Sequence, residues 1–394
     1  MKQIAEVSQT RNLLGATLMV TGCCIGAGMI GLPALSALAG FVPALAAILL
    51  AYAFTTATGL LLLEATLWFD REVNLLSIAQ FIFGKVGKIG VGLLFLFLFN
   101  GIFVAYLDAG GQIFGTLLHA LFAQEFPREV GIFLCLICVA LTIFTGIRGV
   151  DRTNRLLLIG LVLSYALIVG MGLSFVQMEN LSYTSWKSAL SILPILFISF
   201  GYQNLVPSLT YYLRKNIAHI RFAIVVGNLI PMLVYTLWNF VILGMIKEPE
   251  KVRVENGLVT ELLQGLASGT VIPFLLNAFA FFAMFTSFIT IAISLVDFFR
   301  DGLQGKKVPE WLVYTLAFLP SLVIALSIPN LFLRALSFAG GVVDVLLYGI
   351  LPVCLVWVGR YHKQVRGPYQ VGGNRLFLTA MFLASLAFLL LRVS

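Results

Sequence analysis

Ten stretches of this chain carry no Asp, Glu, Lys or Arg: 12–63, 89–107, 130–147, 156–178, 188–213, 222–246, 262–296, 311–333, 345–359 and 376–391. A hydrocarbon core about 30 Å thick takes about 20 helical residues to cross. The first stretch is long enough for two helices, turning near Gly40–Pro43, and two others reach full length once Asp108 and Asp344 are allowed inside. The pattern therefore predicts eleven membrane spans. The longest connections are 69–88, 247–261 and 360–375, none of them long enough for a soluble domain. Within the first, Val73–Phe81 has the apolar spacing of a short interfacial helix. The second mixes Lys, Arg and Glu and reads as a solvated cap.

Composition makes the class firm. Hydrophobic residues are 60% of the 394 and charged ones 11%, which is an all-α polytopic membrane protein rather than a soluble domain. The net charge of +8 would suit nucleic acid, but its distribution speaks for the lipid bilayer as partner and against nucleic acid. With the N-terminus inside, 18 of the 25 basic residues fall on inner segments and seven on outer ones. That asymmetry is the positive-inside rule. It predicts a cytoplasmic N-terminus at 1–11 and, with an odd span count, an external C-terminus. The first dozen residues are polar and show no cleavable signal, so the first span reads as an uncleaved insertion signal. Cys135-x-x-Cys138 has a redox-like spacing, yet no His or second pair accompanies it, and free thiols in apolar helices are expected. No metal or cofactor is expected.

The first span is irregular where a helix should be most regular. Thr21-Gly22-Cys23-Cys24-Ile25-Gly26-Ala27-Gly28-Met29-Ile30-Gly31-Leu32-Pro33 holds four glycines and a proline. Interior Gly costs about 1 kcal/mol and Pro about 3 kcal/mol relative to Ala. Irregular backbone at bilayer depth is tolerated only where protein or a cavity surrounds it. The sixth span is interrupted too: Gly201, Gln203 and Asn204 break an apolar run that Pro207 closes. Spans one to five (12–177) and six to ten (188–358) are similar in length, and an odd number of helices in each gives opposite orientations. An inverted repeat with a break in the leading helix of each half is the sequence pointer to a transporter binding site, with 374–392 as an added span. The competing reading of Gly22-x-x-x-Gly26 is a close-packing motif.

An unwound segment exposes amides that favour an anion and carbonyls that favour a cation. A zwitterionic amino acid suits both. Its carboxylate is expected against Gly26–Gly28, with Cys24 and Ile25 beside it, and its ammonium against the carbonyls of Phe200–Tyr202.

Gly26-Ala27-Gly28-Met29 ahead of Pro33, Glu64 after Leu60–Leu63, Ser199-Phe200-Gly201 through Pro207-Ser208, and Thr286-Ser287-Phe288 through Asp297 resemble the bacterial tyrosine and tryptophan permeases of the hydroxy and aromatic amino acid permease family. The likeness runs in order over nearly the whole chain. It implies a leucine-transporter-like inverted repeat of five plus five helices with an eleventh, in the inner membrane, importing tyrosine or tryptophan with protons. Gln203-Asn204 lies in a stretch that varies among such permeases with different preferences. Tyr106 matches a tyrosine of the family's third span.

Ionisable groups within spans are functional hypotheses by default. Asp344 near mid-span and Asp108 at or outward of it are candidates to carry the proton or to meet the substrate ammonium; the alternative is an aspartate that merely ties helices together. Glu64 is a third candidate, though its place near the inner end favours a structural role, and Asp297 is expected to anchor Arg300. Thr286 and Ser287 are adjacent hydroxyls that would suit a sodium site, against back-bonding to the preceding turn. An aromatic pocket would draw on Tyr106, Phe200, Tyr202 and Phe285, with Phe103 and Phe288 nearby. The main alternative is a sodium-coupled or serine/threonine-type carrier on the same scaffold. An intramembrane enzyme is disfavoured because His119, His219 and His362 fall at span ends or loops with no paired acid or cysteine, and a channel filter is not needed.

Overall fold

The computed structural model describes residues 2–26, 28–246, 271–303 and 309–393. The 247–261 cap and Ala27 lie outside them. Among the described residues the chain is all-helical. Eight helical stretches are long and apolar enough to cross a bilayer, or nine when Asn12–Cys24 and Gly28–Ala39, bent by 56°, count as one.

In chain order the helices are α1 (Lys2–Cys24), α2 (Gly28–Ala39), α3 (Phe41–Thr66), α4 (Leu75–Phe122), α5 (Arg128–Phe144) and α6 (Gly146–Gly172). Then come α7 (Leu193–Ser199), α8 (Val206–Tyr212), α9 (Ile217–Met245), α10 (Ile272–Gly302) and α11 (Glu310–Ser327). Last are α12 (Phe332–Phe338), which runs through a π-helical segment Ala339–Ile350 into α13 (Leu351–Tyr361), and α14 (Arg375–Val393). Helix α1 packs on α9, α4 on α5, and α6 on α10.

Both expected interruptions are present. The first is confined to the residues between Cys24 and Gly28; the second spans Phe200 to Leu205, between α7 and α8. The turn near Gly40 is also present, with Gly40 at φ 88° and no room for a side chain against the Tyr183 carbonyl. The interfacial helix of the 69–88 connection starts at Leu75, capped by the Asn74 side chain on the Ser77 amide, and bends at Gly84 (φ 71°) into the long part of α4.

One expectation needs correction: Pro33 does not break the first span. It lies inside α2. A proline there frees the carbonyl four residues back, and the Met29 carbonyl accepts instead from Trp238 Nε1 at 3.0 Å. Pro231 of α9 repeats the device, since the Gly227 carbonyl accepts from Thr21 Oγ1 at 2.9 Å. Each proline trades an internal hydrogen bond for one between helices.

Two buried ion pairs tie distant helices. Glu64 accepts from Arg360 through Nε at 2.6 Å and Nη2 at 2.5 Å, and from the Val371 amide at 2.7 Å. Asp108 accepts from Arg128 Nη2 at 2.7 Å, from the Phe332 amide at 2.9 Å, and from Gln112 Nε2 at 3.4 Å. Asp297 pairs with Arg300 at 2.9 Å on an exposed face. Removing one member of a buried pair strands the other. Glu64→Ala is therefore expected to cost about 3 kcal/mol and to lower Tm in detergent, while Asp297→Ala, in an exposed pair, leaves it nearly unchanged. Equal Tm for wild type and Glu64→Ala would contradict this account.

Candidate functional site

The two breaks face each other. A Cβ on Gly28 would strike Ser199 Oγ and come within 2.9 Å of Ser199 Cβ, so α2 and α7 pack with the Ser199 side chain directly on Gly28. Gly26 meets Ser287 of α10 in the same way. Cys23 Sγ lies 3.8 Å from the Gly201 carbonyl and bridges one break to the other.

Carbonyls at both breaks are met by a side chain from a neighbouring helix, and side chains of the breaks reach neighbouring helices in turn. The Tyr235 hydroxyl donates to the Cys24 carbonyl and lies 3.4 Å from the Ser199 carbonyl. Tyr202 donates to the Thr55 carbonyl at 3.0 Å. Gln203 Nε2 is 3.4 Å from Thr58 Oγ1, and its Oε1 has no partner among the described residues although the side chain is fully buried. Asn228 donates to Thr55 Oγ1 at 3.1 Å and Thr56 Oγ1 at 2.9 Å, with Cys24 Sγ 3.7 Å from its Oδ1. A polar group left unpaired in this setting costs several kcal/mol, which explains why α3 and α9 carry hydroxyls and amides in apolar runs.

The candidate residues divide into three groups. Those brought together at the breaks are Cys24, Ile25, Gly26, Gly28, Phe200, Gly201, Tyr202 and Gln203, with Ser287 against Gly26. Tyr106 interacts with Ser287 and packs edge-on to Phe288 at 5.7 Å, and Phe288 meets Phe103 at 4.7 Å. Phe200 packs edge-on to Tyr235 at 5.3 Å. These rings are all buried. Gly22, Cys23 and Asn204 are exposed. Phe285 instead joins Phe281 and Phe114, at 4.6 and 5.8 Å, and Thr286 back-bonds to the Ala283 carbonyl at 3.1 Å.

The three acids differ sharply. Glu64 and Asp108 are saturated by arginines and backbone amides, as described above. Asp344 is 3% exposed and has no hydrogen bond or ion pair among the described residues. Its Oδ1 lies 3.5 Å from the position a Cβ on Gly201 would take. An unpaired acid therefore stands against the second break. Among the described residues no group of three or more His, Cys, Asp and Glu is arranged to hold a metal.

Tyr235, Trp238 and Asn228 had not been singled out from the sequence. The signal was there: Asn228, Pro231, Tyr235 and Trp238 recur at three- and four-residue intervals within one uncharged stretch, which puts them on one helix face.

The close approach of α2 and α7 is directly testable. Gly28→Ala is expected to lower Tm in detergent by forcing the half-helices apart, at a cost of about 1–3 kcal/mol. Ser199→Gly in the same chain removes the obstructing atoms and recovers most of the loss. No recovery would mean that the contact is not what constrains Gly28.

Comparison with known proteins fits this geometry. The tryptophan/tyrosine permease family matches residues 9–392. Tyrosine-specific transport system 1 of Haemophilus influenzae is 31% identical, covering 93% of this chain and 92% of its own. Tyrosine-specific transport system 2 of the same organism is 29% identical over 96% and 95%. Its tryptophan-specific transport protein is 28% identical over 92% and 91%. A multi-pass membrane protein whose relatives, matched over more than nine-tenths of their length, are transport proteins is not an enzyme, and this chain belongs to the tryptophan/tyrosine permease family.

Proposed function

We propose that this protein imports an aromatic amino acid, tyrosine or tryptophan, by proton symport through alternating access. Its relatives, tyrosine- and tryptophan-specific by name, support the substrate class. Counting supports the scaffold: the 17-residue α5 and the 19-residue α14, added to the nine stretches above, bring the spans to eleven. That number suits a leucine-transporter-like repeat of spans within 12–177 and 188–358 followed by an eleventh span. The charge asymmetry supports an inner-membrane orientation with the N-terminus cytoplasmic and the C-terminus external.

In this reading the substrate carboxylate is held at the start of α2, by the amide side of Gly26–Gly28. Its ammonium meets the carbonyls around Phe200–Tyr202. The rings of Tyr106 and Phe200 and the polar groups of Gln203 flank the side chain, with Phe285 outside this group in the cluster of Phe281 and Phe114. Exposure of Gly22, Cys23 and Asn204 against burial of Tyr106, Phe103, Phe200 and Phe288 supports a site open to the N-terminal side of the membrane and closed by aromatics on the other.

The observation that carries the coupling is Asp344. A carboxylate with no counter-charge at bilayer depth is costly, and a proton or the substrate ammonium relieves it. Asp108 and Glu64 already have arginines, so we assign them to holding helices rather than to carrying protons. Thr286 and Ser287 keep sodium as the competing ion, with Ser287 at Gly26 the nearer to the breaks.

Uptake of labelled tyrosine and tryptophan into proteoliposomes tests this. A proton gradient is expected to drive accumulation in wild type. Asp344→Asn is expected to abolish accumulation while retaining exchange of internal for external substrate. Accumulation driven by sodium alone, or undiminished accumulation in Asp344→Asn, would overturn the coupling.

A further inference from the structure

A cavity of about 660 Å³ lies away from both breaks, where α3, α13 and the connection to α14 meet. Its charged side chains are Glu64, Arg360, Arg366 and Arg375. Glu64 is saturated by Arg360 and the Val371 amide, so that pair contributes no net charge. Neither Arg366 nor Arg375 has a carboxylate partner among the described residues. Arg375 stands over the Tyr361 ring at 4.7 Å and is otherwise exposed. The cavity therefore holds two uncompensated guanidinium groups.

The wall is a built structure. The segment between α13 and α14 folds back on itself through Val365 N to the Gly359 carbonyl at 2.9 Å and Arg360 Nη2 to the Val371 carbonyl at 2.9 Å. Trp68 is wedged against Gly359 and Gly367: a Cβ on the first would strike its ring, and one on the second would come within 2.9 Å of Cδ1. Lys363 Nζ reaches the Phe81 carbonyl at 2.6 Å and fastens the segment to α4.

A second, apolar groove of about 380 Å³ lies farther along α13 and α14, with Phe83 of α4 on its other side. Phe83, Cys354, Trp357, Thr379 and Phe382 line it. Trp357 touches Tyr361 of the polar cavity, with ring centroids 5.4 Å apart. Thr379 lies one turn along α14 from Arg375, and its hydroxyl is turned back onto the Arg375 carbonyl at 2.8 Å, leaving its methyl to the groove. At a rise of about 1.5 Å per residue, the seven residues from Arg375 to Phe382 run about 10 Å from the charged end to the apolar end.

We propose that this composite pocket binds an anionic phospholipid, its headgroup phosphate on Arg366 and Arg375 and an acyl chain in the groove between α13 and α14. Charge complementarity selects an anion, since guanidinium forks match phosphate oxygens. The neighbouring apolar groove selects an amphiphile over a soluble anion. Basic pockets at the membrane face between helices are suited to such headgroups. The inference rests on the chain lying in a membrane and not on the proposed substrate or coupling ion.

The test is native mass spectrometry of the full-length protein in detergent, offered phosphatidylglycerol and phosphatidylcholine with matched acyl chains. Wild type is expected to retain phosphatidylglycerol with roughly thirtyfold preference, the order expected of two basic residues, at about 1 kcal/mol each, at an anionic headgroup. Arg366→Gln with Arg375→Gln brings the ratio near one. Cys354→Trp, which fills the groove and leaves the charges in place, lowers retention of both lipids and decides the matter should the double variant fail to fold. Retained preference in the double variant, or unchanged retention in Cys354→Trp, would overturn the proposal. So would complete displacement by millimolar inorganic phosphate, which would identify a soluble anion as the occupant.

Discussion

The hydrogen bond from Tyr235 to the Cys24 carbonyl stands for the constraint on which the rest of this structure depends. A helix interrupted at bilayer depth leaves carbonyls and amides with no water to receive them. The breaks of α1–α2 and α7–α8 are tied by hydrogen bonds to other helices, and most of those ties run to α9. Asn228, Tyr235 and Trp238 reach Cys24, Ser199 and Met29, and Gly227 receives Thr21. Helix α3 adds Thr55 and Thr58 for Tyr202 and Gln203. A hydrogen bond is worth only about 1 kcal/mol net, but a buried group left unmade costs about 1–3 kcal/mol. Separating either broken helix from α9 or α3 would strand several such groups together. The broken helices, α3 and α9 are thus bound into one polar-laced unit, whereas α4 and α10 meet the breaks mainly through rings and the Ser287 hydroxyl.

Which parts of this arrangement were legible in the sequence follows from the range of the interactions. The breaks were, because Gly and Pro act locally: Gly26, Gly28 and Gly201 stand where the backbone departs from helix. Pro33 was misread for the opposite reason. Its effect depends on whether the Met29 carbonyl finds another donor, and that donor is Trp238, far along the chain. The acids show the same division. Sequence treats Asp108, Asp344 and Glu64 as three similar carboxyls inside apolar runs, and only their partners distinguish them. Arg128 is 20 residues from Asp108 and Arg360 is 296 from Glu64. No spacing rule reaches the second. Asn204 and Phe285 illustrate a further limit, since neighbours in sequence to buried site residues face solvent or a separate ring cluster once helical rotation is imposed.

The distribution of charge has a physical logic of its own. Taking an ion pair out of water is rarely a net gain, so buried pairs are poor instruments for stability and good ones for fixing register. Both pairs here fix a connection to a helix: Glu64–Arg360 gathers the segment leading to α14, and Asp108–Arg128 holds the amide of Phe332 at the start of α12. Each acid is fully engaged, with its carboxylate shared between a guanidinium and an amide. A group so engaged has no capacity to exchange partners during a cycle.

Asp344 has no such partner among the described residues, and the backbone beneath it accounts for where it sits. It sits in the middle of a π-helical segment, Ala339–Ile350. Such geometry is rare and recurs at functional sites because each wider turn re-aims the side chains beyond it. Gly340 lets this segment press against the Pro194 carbonyl, with no room for a Cβ, and the adjoining turn brings Asp344 against Gly201 rather than against a basic residue. A regular α-helix through the same positions would set the angular offset per residue at about 100°, larger than in the wider π turn, and turn the carboxylate away from the break. The π-helical segment, the glycine contact and the lack of a counter-charge among the described residues converge on one side chain. That convergence is the physical ground for assigning the coupling step to Asp344 rather than to the two acids that the sequence alone could not tell from it.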